Sequence, residues 1–92
     1  MPRYLVERTF PDGLGLTSDA SGADAAQGVV ERNAAEGVTW IHSYFTPDRT
    51  KSFCVYDAPG PEEIRTTAGR NGLPVDRIME VRVLDPYVYH HG

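Results

Sequence analysis

A chain of 92 residues holds one domain, not two. Hydrophobic residues at 40% and charged residues at 24% are ordinary for a globular protein, and a net charge of −4 argues against nucleic acid as a partner, which needs a basic face. A single cysteine excludes an internal disulfide. With no signal-like start and no apolar run of membrane-spanning length, the expectation is a cytoplasmic protein with no membrane partner and Cys54 as a free thiol.

In chain order, Arg3–Phe10 reads as a first strand, with Tyr4 and Val6 on one parity and Leu5, Glu7 and Thr9 on the other. Pro11-Asp12-Gly13 closes it, because proline and glycine interrupt a ladder. Leu14–Ala20 is a loop. A helix follows over about Gly22–Glu36, with Thr17, Ser18, Asp19 and Ser21 as capping candidates. Its stripe is Ala26, Val29, Val30, Asn33 and Ala34, and Gly37 stands where a C-terminal glycine belongs.

Val38–Asp57 then reads as a β-hairpin around Thr46-Pro47-Asp48-Arg49-Thr50. With the turn tip at Asp48, His42 falls opposite Cys54. An imidazole and the only cysteine, on a face that also carries Tyr44 and Tyr56, suggest a metal or ligand site. A packed histidine beside a small, buried thiol is the plainer reading of the same pair.

Ala58-Pro59-Gly60 breaks the chain, and Pro61-Glu62-Glu63 opens a second helix to about Arg70: proline is tolerated at N1, and acids suit the positive end of the dipole. Asn71-Gly72 ends it. Arg77–Asp85 alternates as a last strand and Pro86 stops it, leaving residues 86–92 as an aromatic, histidine-containing tail able to pack on a partner subunit. His90 and His91 read either as ligands or as a solvated end.

The order β-α-β-β-α-β is the ferredoxin-like, α+β arrangement, in which a four-stranded antiparallel sheet carries two helices on one face. The helix side is expected to take Val6, Ile41, Phe45, Phe53, Val55, Met79, Val81 and Val83. The other side then carries Leu5, Glu7, Trp40, His42, Tyr44, Cys54, Tyr56, Ile78, Glu80, Arg82 and Leu84. A second copy of the chain is the expected cover for so apolar a face, giving a homodimer, and Glu7, Cys54 and His42 would form a row inside it. Glu7, Glu80 and Arg82 also fit an ion-pair network that needs no ligand.

On the segments Leu5–Leu14, Val29–Pro59, Gly72–Ile78 and Val81–Tyr87, the chain resembles a small actinobacterial family of nickel-binding proteins whose ferredoxin-like chains dimerise into an α/β barrel. The resemblance implies a Ni²⁺-binding homodimer concerned with metal sequestration or tolerance, without an established reaction. It makes Glu7, His42, Tyr44 and Cys54 the positions to weigh as ligands, with His90 as a further donor from the tail. The metal's identity comes from the resemblance, since these donor types do not separate nickel from zinc or copper.

The alternative is a dimeric α/β-barrel enzyme, monooxygenase- or isomerase-like, holding a small aromatic ligand among Trp40, Tyr44, Tyr56, His42 and Arg82. Fold analogy alone supports a reaction there. A dimer serving only as an interaction module is the third reading.

Overall fold

The structure, a computed structural model, describes residues 1–15 and 20–89. Its elements are β1 (Arg3–Thr9), α1 (Ala20–Ala35), β2 (Thr39–Phe45), β3 (Lys51–Asp57), α2 (Pro61–Asn71), β4 (Arg77–Val81) and a 3-10 turn at Pro86–Tyr89. The four strands form one antiparallel sheet in the order β2-β3-β1-β4. This is the ferredoxin-like α+β topology that the element order implies.

The helix ends follow local chemistry. Pro61 starts α2, with Glu62 and Glu63 in its first turn, and Gly72 ends it at φ 67°, a left-handed position where glycine carries no steric penalty. In α1 the inward stripe is Gly22, Ala26, Val29 and Asn33, while Val30 and Ala34 face outward. Ser21 falls inside this helix, and the capping candidates Thr17, Ser18 and Asp19 lie outside the described residues. Asn33 is 1% exposed and joins the helices by accepting from Asn71 Nδ2 at 3.0 Å.

Tyr4, Val6, Val38, Cys54, Tyr56, Ala58 and Ile64 form the core. Both helices lie on this side of the sheet, and Val6 and Ile64 are fully buried. Losing the Ile64 side chain to alanine costs on the order of 2–5 kcal/mol, and Val6→Ala, which removes fewer buried atoms, costs less.

The hairpin register differs from the sequence expectation by one residue. Ser43, not His42, pairs with Cys54, and His42 pairs with Val55. The loop has four residues, Pro47 to Thr50, closed by Thr46 N–H donating to Lys51 O at 3.0 Å, so its centre falls between Asp48 and Arg49. Arg49 takes the left-handed turn at φ 63°. Further along, the ladder shifts between Trp40 and His42, which leaves Ile41 as the extra residue of a bulge.

The expected faces hold for β1 and for His42, Tyr44 and Phe45, and reverse along β3, along β4 and at Trp40. Val6 pairs with Cys54 and Tyr4 with Tyr56, so β3 turns Ser52, Cys54 and Tyr56 toward the helices and Phe53 and Val55 away from them. The bulge brings Trp40 to the helix side beside Ser43 and Phe45, while His42 and Tyr44 stay on the open side. In β4, Ile78 pairs with Val6 and takes the helix side, while Met79 and Val81 take the open one. This strand ends at Val81, opposite Arg3, because Pro2 beyond it has no N–H for a further rung. Val83 and Leu84 lie outside the sheet and are 53% and 75% exposed.

Candidate functional site

The open face presents Leu5 and Glu7 from β1, His42 and Tyr44 from β2, Phe53 and Val55 from β3, and Met79 and Val81 from β4. No described helix covers it, yet its apolar members Leu5, Phe53, Val55, Met79 and Val81 are half-buried by one another. Tyr44 is 64% exposed.

Pairing sets two rows across this face. Glu7, Phe53 and Tyr44 form one, and Leu5, Val55 and His42 form the next. His42 and Tyr44, two apart on β2, meet edge to face with ring centroids 5.1 Å apart and planes at 82°. The Glu7 carboxylate meets no donor among the described residues, although Arg77 stands opposite it in the ladder. Glu7 and His42 are separated by the whole of β3, a lateral gap of roughly 10 Å at the usual strand spacing. Accordingly, no group of three His, Cys, Asp or Glu side chains able to hold a metal ion forms among the described residues of one chain.

The expected row of Glu7, Cys54 and His42 is therefore not assembled. Cys54 points into the core, 7% exposed, with its sulfur 3.6 Å from Ser52 Oγ. The sheet separates it from His42. Tyr56, which was expected to flank the site, sits beside Cys54 on the helix side. The aromatic pocket expected inside a barrel is divided in the same way: Trp40 and Tyr56 face the helices, His42 and Tyr44 face away, and the Arg82 side chain is 87% exposed. Of the expected ion-pair network, Arg82 and Glu80 approach to 3.8 Å, and Glu7 stands apart from them. His90 and His91 lie outside the described residues.

The helix side holds a group that alternation did not single out. Arg8 is 2% exposed. Its Nη1 donates to Pro74 O at 2.6 Å and its Nη2 to the Tyr56 hydroxyl at 3.1 Å, while its Nε has no partner among the described residues. Burial pushes the Tyr56 hydroxyl up to about 12, opposed in part by the Arg8 charge. The legible signal was parity, since Arg8 shares the face of Tyr4 and Val6.

A family model described as nickel responsive protein SCO4226-like matches residues 4–81. No functionally curated protein matches the chain in sequence. Among solved structures, the crystal structure of SCO4226 from Streptomyces coelicolor A3(2) aligns with a TM-score of 0.71 at 22% identity, covering 90% of this chain and 99% of that one. That likeness shows a common fold. No described helix is long and apolar enough to cross a membrane.

Proposed function

The chain belongs to the SCO4226-like family of nickel-responsive proteins, and from that premise we propose that it binds Ni²⁺ on the open face of its sheet, as a homodimer, in metal sequestration or tolerance. The observation that carries this reading is the chemistry of that face. An exposed imidazole, His42, and a carboxylate that meets no donor among the described residues, Glu7, stand in a half-buried apolar surface. A carboxylate and a neutral imidazole are competent donors for a divalent first-row metal.

One chain brings these donors no closer than two strands. A second copy laid face to face, at the roughly 10 Å spacing of packed sheets, supplies donors from the other side and removes the apolar surface from water. At about 25 cal/mol per Å², burial of about 800 Å² per partner is ample to hold such a pair. The exposed Leu84 and Tyr87, at 75% and 68%, suit a C-terminal segment that packs on the partner. In this reading His42 gives an imidazole nitrogen, Glu7 a carboxylate oxygen, and Tyr44 holds the imidazole ring. Cys54 is outside the site.

Calorimetric titration of Ni²⁺ into untagged protein tests the reading. Wild type takes up nickel, less well as the solution is acidified, because a protonated imidazole cannot ligate. His42→Ala loses that uptake. Equal affinity in the two proteins would remove His42 from the site.

A further inference from the structure

Across the sheet from the candidate metal face, a cavity of about 530 Å³ lies between α1 and the β2–β3 half of the sheet. Its origin is legible in α1, whose sequence ASGADAAQGVVERNAA has no apolar side chain larger than valine. Ala25 and Val29 are the small apolar side chains that α1 contributes there, and Trp40, Phe45 and Leu73 line the space that they leave. The volume is that of an ordinary small-molecule site.

In a chain of net charge −4, the described lining of this cavity includes Arg32 and no acidic side chain. Arg32 Nε is held by Asn71 Oδ1, and no carboxylate pairs with Arg32 among the described residues. Arg32 is an exposed side chain of that lining, so its guanidinium is open to a ligand from solvent.

We propose that this cavity binds a small monocarboxylate with an apolar body, the body against Trp40 and Phe45 and the carboxylate at Arg32. Aromatic walls supply contact area for the apolar part, and a guanidinium is the side chain best shaped for a carboxylate. The site is separate from the metal face, so its occupancy leaves nickel binding unchanged.

Trp40 is the chain's only tryptophan and lines the cavity, so its fluorescence reports occupancy directly. Phenylbutyrate and its neutral amide, titrated into the full chain by fluorescence and calorimetry, are the probes. The acid changes Trp40 emission and binds at least about tenfold more tightly than the amide, as expected for a charge-assisted pair. Arg32→Gln brings the two affinities together, and Val29→Phe, which fills the space, abolishes binding of both. Failure of the acid to bind, equal affinity for acid and amide in wild type, or undiminished binding to Val29→Phe would each overturn the proposal.

Discussion

The rings of His42 and Tyr44 meet edge to face on the open side of β2, their centroids 5.1 Å apart. A contact of this geometry contributes about 0.5–1.5 kcal/mol and fixes the direction of the imidazole. If Tyr44 acts by holding that ring, Tyr44→Phe leaves nickel affinity unchanged. Tyr44→Ala lowers it by about tenfold, the usual cost of removing a group that orients a metal-binding histidine. A large loss in Tyr44→Phe would instead make the phenol oxygen a ligand.

Cys54 lies across the sheet from His42, and its sulfur touches Ser52 Oγ in the core. Cys54→Ala is therefore expected to keep wild-type nickel affinity and to lose about 1 kcal/mol of stability in urea unfolding, the central effect of a core truncation this small. Loss of nickel binding in a folded Cys54→Ala protein would contradict the assigned faces.

Tyr56 accepts from Arg8 Nη2 at 3.1 Å, and Arg8 Nε already has no partner among the described residues. Removing the hydroxyl in Tyr56→Phe strands a second buried donor and costs about 1.5–3 kcal/mol, read as a lower denaturation midpoint. The same hydroxyl carries a pH signature. Its folded pKa, pushed up to about 12, lies above the unfolded value of about 10, so its contribution to stability is complete below pH about 10 and is lost as pH rises through about 12. Spectrophotometric titration should show one tyrosine ionising near the upper limit, and Tyr56→Phe should abolish that step.

The hairpin loop has an acid-side counterpart. Asp48 Oδ1 accepts from Thr46 Oγ1 at 2.7 Å, from Thr50 Oγ1 at 2.7 Å and from Thr50 N–H at 3.0 Å. These bonds lower its carboxyl to about 2. With the folded pKa depressed, the contribution is present above the unfolded pKa of about 3.9 and disappears as pH falls through about 2. Asp48→Asn should flatten the stability profile in that window. Carbon-detected NMR of the Asp48 carboxyl should place its midpoint near the lower end, and a midpoint near 4 would contradict the loop geometry.

The contrast between α2 and the hairpin shows what local sequence encodes. Pro61, the two glutamates after it and Gly72 each act within one turn, so the second helix was legible from end to end. Strand order followed from element order for the same reason: few topologies satisfy short, right-handed connections. The faces of β3 followed from neither. Their assignment rested on Phe53 and Val55 being more apolar than Ser52, Cys54 and Tyr56, but hydrophobicity separates two faces only when one is wet, and here both are at least half-buried.

Two further causes were local but silent. The bulge at Ile41 changes the parity of Trp40 relative to His42 without a glycine or proline to mark it. The four-residue loop, with Arg49 in place of the glycine that favours its left-handed conformation, moved the turn centre by half a residue and so exchanged the partners of Ser52, Phe53, Cys54 and Val55, while Tyr56 and Asp57, beyond the bulge, keep Trp40 and Thr39. Of the candidate ligands, Glu7, His42 and Tyr44 share the open side as expected, whereas Cys54 lies on the opposite face with Ser52 and Tyr56.

A crystal of the untagged protein soaked in Ni²⁺, with anomalous data collected at the nickel edge, tests the central claim most directly. The account predicts a peak on the open side of the sheet, bonded to His42 and lying between two copies of the chain. A peak at Cys54 on the helix side, or an open face that stays bare while nickel binds elsewhere, would contradict it.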